Sequence, residues 1–180
     1  MPNDGALQAN SVKWTIDHLI DYHLTLMDTS QQILAKAKSR ATELKLPYAG
    51  ALTPSAAYAL LKANAGAVLV DVRTQAEWEW VGRVPDSETI EWNTWPQGER
   101  NPRFVEELKA AVPDTNAPIL FLCRSGGRSH GAATAAAKAG YSQAYNVLEG
   151  FEGDKDHNGQ RNKVGGWRHA GLAGRVAVGV

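Results

Sequence analysis

Residues 118–140 read PILFLCRSGGRSHGAATAAAKAG, and the order of signals in this stretch decides the fold. Pro118 opens an unbroken apolar run, Ile119, Leu120, Phe121 and Leu122, short enough to be a buried strand and not a helix. The run ends on Cys123, the only cysteine in the chain. Arg124, Ser125, Gly126, Gly127 and Arg128 follow as a tight loop, and two glycines let its backbone curl. From Ser129 an alanine-rich segment of strong helix propensity runs to Gly140. Strand, loop and helix together place a thiol at a helix start.

Unpaired amide N–H groups at a helix N-terminus carry partial positive charge, and Arg124 and Arg128 add full charges. That setting favours the thiolate of Cys123 and welcomes an anionic substrate. The plain alternative is a small buried hydrophobe ending a core strand, the usual role of a lone cysteine. Two arginines, two glycines and the absence of any acid between Cys123 and Glu149 favour the reactive reading.

The remaining chain bounds the answer. Its 180 residues suffice for one packed domain with an appendage. Nineteen basic and nineteen acidic side chains cancel, so the charge balance points to neither nucleic acid nor a membrane surface. A single cysteine excludes an internal disulfide. No apolar run approaches the roughly 20 residues of a membrane span, and MPNDGALQAN lacks the regions of a signal peptide. A cytoplasmic location is the expectation.

In chain order, residues 1–10 are polar and expected to be disordered. Residues 11–45 form a helical extension: Val12, Ile16, Leu19, Ile20, Met27, Leu34, Ala37, Ala41 and Leu44 fall near helical spacing. This is one long helix, or two broken around Asp28 to Ser30. Its apolar stripe packs on its own domain or serves a dimer or partner interface, so monomer and homodimer both stay open. His18 and His23 lie five apart, off the spacing of a helical metal pair.

A core domain is expected over residues 46–153. Ala49 to Leu52 reads as an edge strand, Thr53 as a cap, and Pro54 to about Asn64 as a helix. Ala67 to Val72 is the next strand, and Asp71 and Arg73 at its end tie neighbouring loops together. Thr74 caps a short helix carrying Trp78 and Trp80, and Thr89 to Trp92 is a strand. Asn101 caps a helix that Pro102 starts and Pro113 stops, and Ala144 to Leu148 is the last strand. Alternating strands and helices predict an α/β fold, a mostly parallel sheet covered on both faces, with active residues at the carboxyl ends of its strands. His130 is a weak candidate general base, because a helix projects it away from the loop and an ionised thiol needs none.

Residues 154–180 turn polar and glycine-rich. Asp154, Asp156, Asn158 and Gly159 match the first half of a calcium loop, but Gly165 stands where a bidentate Glu belongs. A surface turn is the better reading. Trp167 is expected on a short helix that docks its indole, with Gly174 to Val180 frayed.

The loop CRSGGRS resembles the active-site loop of single-domain rhodaneses, the thiosulfate and other sulfane-sulfur transferases. The resemblance extends to LVDVR at Leu69–Arg73, GRVP at Gly82–Pro85 and VLEG at Val147–Gly150, and covers about Ala51 to Phe151. It implies a rhodanese-like domain in which Cys123 carries a persulfide, with Arg124, Ser125, Gly126, Gly127 and Arg128 binding a small anionic sulfur donor. It also implies a thiol, a protein or, in assays, cyanide as acceptor, with no metal or organic cofactor. Many members have His at the position of Arg83 and Gly-Ala at Asp86-Ser87, and the connection bearing Trp92 and Trp95 approaches the active loop. Related cysteine-dependent phosphatases and arsenate reductases place five residues between cysteine and arginine. This loop has four, a closer fit to one sulfur atom than to a phosphate. The other alternative is a binding or sulfur-relay module that keeps the fold and acts through a protein partner.

Overall fold

The computed structural model describes residues 16–174. Residues 1–15 and 175–180, including the expected disordered start, the first turn of the extension and most of the frayed end, lie outside the described residues, as do the side chains of His18 and His23. The elements in order are α1 (Ile16–Glu43), β1 (Gly50–Leu52), α2 (Pro54–Ala63), β2 (Val68–Asp71), α3 (Gln75–Trp80), β3 (Glu88–Thr89), α4 (Phe104–Ala111), β4 (Ile119–Leu122), α5 (Gly127–Lys138) and β5 (Ala144–Val147). The five strands form one sheet in the order β1-β5-β4-β2-β3, every neighbouring pair parallel.

Side-chain alternation in β4 sorts the core into two layers. Ile119 and Phe121 point to one face, where they pack with Phe104 and Leu108 of α4 and Ala132, Ala133 and Ala136 of α5. Leu120 and Leu122 point to the other, among Ala57 and Leu60 of α2 and Ala37 of α1. All four strand residues are fully buried, which stabilises the fold by roughly 1.5–3 kcal/mol each. Cys123 continues the Ile119–Phe121 face and therefore lies on the α5 side of the sheet.

Among the described residues the extension is one continuous helix, Ile16–Glu43. Its second half covers the edge strand β1: a Cβ on Gly50 would stand 2.6 Å from the Ala37 backbone, and Arg40 donates to the Ala51 carbonyl at 3.0 Å. In its first half Ile16, Ile20 and Met27 are exposed. Among the described residues no helix is long and apolar enough to cross a membrane.

Several expected elements differ in extent. β3 is two residues long; beyond it the Ile90 and Trp92 N–H groups still donate to the Asp71 and Val72 carbonyls before the chain leaves the sheet. α4 begins at Phe104, not Pro102. The Asn101 side chain accepts from the Arg103 N–H and donates to the Glu91 carbonyl and Glu107, making a turn of its own ahead of the helix. α5 begins at Gly127, two residues before the expected start. Trp167 does not sit on a helix but in a series of turns, and it is fully buried, edge-on to Tyr58 with its indole N–H donated to Ala173. The Asp156 carboxylate accepts the N–H groups of Asn158 and Gln160, closing a surface turn.

Candidate functional site

Cys123 stands at the carboxyl end of the central strand with 1% of its surface exposed. The Gly126 N–H lies 3.2 Å from its sulfur and the Ser129 hydroxyl 3.3 Å away. Gly126 caps α5 in the left-handed region, φ 93°, where a Cβ is disfavoured. Its carbonyl accepts from the His130 N–H at 3.1 Å, the Ser129 hydroxyl at 3.1 Å and Asn146 Nδ2 at 3.3 Å. Gly126, whose N–H is aimed at the sulfur, is thus held through its carbonyl by the first turn of α5 and by β5.

A second loop clamps the first. Glu149 and Gly150 both adopt left-handed backbone, φ 64° and 63°, so the chain doubles back beneath Cys123. Phe151 donates its N–H to the Cys123 carbonyl at 2.7 Å, and Glu152 donates to Arg124 at 2.9 Å. A Cβ on Gly150 would overlap the Cys123 carbonyl oxygen and stand 2.6 and 2.7 Å from backbone atoms of Arg124 and Ser125. The Glu149 carboxylate accepts the Gly166 N–H at 2.9 Å, which fastens the clamp to the Trp167 segment.

The two loop arginines differ. Arg128 donates two 2.7 Å hydrogen bonds to the two carboxylate oxygens of Glu77, a bidentate pair with planar complementarity. Glu77 is itself held by the capping box of α3, accepting from the Thr74 N–H and hydroxyl at 3.0 Å. Burial pushes the Glu77 carboxyl up, but the Arg128 guanidinium and the Thr74 donors outweigh it and hold the group at about 2. Burial likewise opposes the charge on Arg128, and Glu77 more than restores it. Arg124 is exposed, and its side chain has no hydrogen bond or ion pair among the described residues. The sequence treats the two arginines alike; Glu77, 51 residues away in the chain, separates them.

A cavity of about 600 Å³ opens beside the loop, lined by Arg124, Arg128, Glu77, Thr74, Val81 and the segment bearing Asn93, Thr94, Trp95 and Gly98. Trp95 walls it and is 63% exposed. Trp92 does not: it is buried edge-on to Phe104, touching α5 at Gly131, with the Arg100 guanidinium 3.4 Å from its ring centre. His130 faces away from the sulfur and meets the Tyr48 hydroxyl at 2.7 Å through Nδ1. Asp71 and Arg73 are buried and paired, with Arg73 also donating to the Gly82 carbonyl and lying over Phe151; they tie the end of β2 to the turn at 82–85. Asp86 occupies left-handed backbone, φ 58°, a conformation that glycine adopts without steric cost. Arg83 is exposed and lines no part of the cavity.

Ser129 and Glu77 belong to the site although neither is among the residues the sequence points to. The signal for Ser129 was a short hydroxyl residue in the first turn of a helix whose cap, Gly126, has no side chain. The signal for Glu77 was the T-x-x-E spacing from Thr74, which marks a capping box.

The family model described as the rhodanese-like domain matches residues 53–157. Uncharacterized proteins of Rickettsia conorii and Rickettsia prowazekii are each 36% identical, over 115 and 113 residues, 62% of this chain and 91% of theirs. The crystal structure of Rv0390 from M. tuberculosis is 46% identical with a TM-score of 0.66, covering 71% of this chain and 98% of that one. A thiosulfate sulfurtransferase from Pseudomonas aeruginosa shares the fold at 19% identity and a TM-score of 0.52, over 81% of this chain and 23% of its own. With more than half its length matched, and the expected sheet and loop in place, this chain belongs to the rhodanese-like domain family.

Proposed function

We propose that the protein is a sulfurtransferase that carries sulfane sulfur on Cys123. The observation that supports this most directly is a thiol at the end of a central strand, with a backbone N–H and a buried hydroxyl at 3.2 and 3.3 Å and a cavity bearing a free arginine alongside. The Cys123 thiolate attacks the outer sulfur of an anionic donor such as thiosulfate. The donor's S–S bond breaks, sulfite leaves with the bonding pair, and Cys123 holds a persulfide. Donors from Arg124 to Arg128, foremost the Gly126 N–H, stabilise the charge on the sulfur. A nucleophilic acceptor, a thiol, a protein or cyanide, then removes the outer sulfur.

Residues 46–153 form the sulfur-carrying domain in this reading, and residues 11–45 an extension whose exposed apolar positions suit a homodimer contact. Size-exclusion chromatography of the intact chain and of one beginning at Gln31, which keeps the half of α1 packed on β1, tests the extension: equal monomers in both would end the dimer reading. The chemistry is tested by intact mass after incubation with thiosulfate, and by thiocyanate release on adding cyanide. Wild type should gain one sulfur and discharge it, and Cys123→Ser should do neither.

A further inference from the structure

Building on that reading, we infer that Asn146 and Tyr48 are positioning residues for the sulfur-carrying loop, acting on Cys123 through Gly126, whose N–H meets the sulfur at 3.2 Å. The first observation is a polar residue in a core strand. All four residues of β5 are buried, and Asn146 keeps 4% of its surface. It pairs with Phe121 across the sheet, on the face that also carries Cys123. There its Nδ2 donates to the Gly126 carbonyl at 3.3 Å.

The second is an acceptor left over. The Gly126 carbonyl can only accept, so the Asn146 amide must present its nitrogen to it. Oδ1 is then buried with no hydrogen-bond partner among the described residues, an arrangement that opposes folding. An apolar residue would fill this strand position without that penalty. The amide instead supplies a donor to the loop.

The third is Tyr48, a buried residue of the connection between α1 and β1. Its hydroxyl meets His130 Nδ1 at 2.7 Å, and the two rings stack edge to face. Burial pushes the Tyr48 phenol up, and a hydrogen bond with the Asn146 amide opposes it. An amide NH2 carries two donors, so one nitrogen serves both the phenol and the loop carbonyl, and the phenol restrains the amide's rotation. The contacts close a ring: His130 on α5 holds Tyr48, Tyr48 holds Asn146, and Asn146 holds the cap of α5.

The test uses the full chain, with urea unfolding, amide hydrogen exchange by NMR, and single-turnover loading of Cys123 from thiosulfate read by intact mass. Asn146→Leu removes the leftover acceptor and leaves the Gly126 carbonyl its Ser129 and His130 donors. It should unfold at the wild-type urea midpoint or above, yet exchange the Gly126 N–H about tenfold faster and load sulfur several-fold more slowly. The Ile119 N–H, bonded to Gln143 in the sheet, should exchange as in wild type. Tyr48→Phe keeps the ring and unpairs only a nitrogen of the exposed His130, which water reaches. It should move both readouts in the same direction by smaller factors, and it decides the matter if Asn146→Leu does not fold. Unchanged Gly126 exchange in the folded variants would overturn the assignment, as would loading at the wild-type rate. A fall in stability that speeds Gly126 and Ile119 alike would overturn it too, since any core residue does that. No loading in wild type would instead overturn the sulfurtransferase reading, and Gly126 exchange would still decide whether Asn146 and Tyr48 hold the loop.

Discussion

Replacing Gly150 by alanine probes the clamp that holds the reactive loop. The substitution has two separable costs. One is the left-handed backbone at φ 63°, which penalises any Cβ by roughly 1–2 kcal/mol. The other is overlap: the new Cβ runs into the Cys123 carbonyl and into Arg124 and Ser125 backbone at 2.6 and 2.7 Å. Backbone has no rotamer to escape by, so this overpacking adds about 1–3 kcal/mol. Gly171 is the matched control, with φ 67° and nothing within 4 Å of its would-be Cβ. Urea unfolding followed by tryptophan fluorescence should therefore give about 1–2 kcal/mol for Gly171→Ala and about 2–5 kcal/mol for Gly150→Ala. Gly150→Ala alone should also slow persulfide formation on Cys123, because the loop must shift to make room. If the two variants cost the same within about 0.5 kcal/mol and both load sulfur at the wild-type rate, the clamp does not position the thiol.

Three further expectations follow from the same geometry. Glu77 is held at about 2 against an ordinary 4.5, so its stabilising contribution is present above pH 4.5 and lost as pH falls through 2. At 1.36 kcal/mol per pH unit it amounts to at most about 3 kcal/mol, and in urea titrations Glu77→Gln should trail wild type at pH 7 by an amount that shrinks toward pH 2. Ser129→Ala removes a fully buried hydroxyl from both the Cys123 sulfur and the Gly126 carbonyl. It should cost about 1 kcal/mol and slow sulfur loading several-fold, while Ser129→Thr should recover part of the rate. Trp167→Ala empties the largest fully buried side chain and should cost about 3–5 kcal/mol by calorimetry or urea unfolding.

Much of the fold is legible in the sequence because β1, β2, β4 and β5 announce themselves locally, whereas β3 shares only Thr89 with the strand expected there. Ile119–Leu122 is apolar throughout, as a strand covered on both faces requires, and Thr53-Pro54 starts α2 where the caps predict. Cys123, at the strand end, followed from the same pattern. What sequence could not supply was pairing across distance. Arg128 looked like a free anion binder until α3 brought Glu77 against it. Trp92 and Trp95 are near neighbours in the chain, yet one is core and the other a cavity wall, because the chain leaves the sheet between them. Trp167 docks its indole from a series of turns and not from the expected helix; a buried indole fixes where a segment packs without fixing its backbone.

The clamp also bears on how the protein comes into being. Strand β4, the loop and α5 leave the ribosome before Gly150, Phe151 and Glu152, whose backbone closes on Cys123 and Arg124, and before Gly166 and Trp167, which fasten that closure to the core. Domains generally fold as units during synthesis. The nucleophile is therefore made early and seated late, and a nascent chain carries its cysteine unseated until the polar segment beyond the last strand arrives.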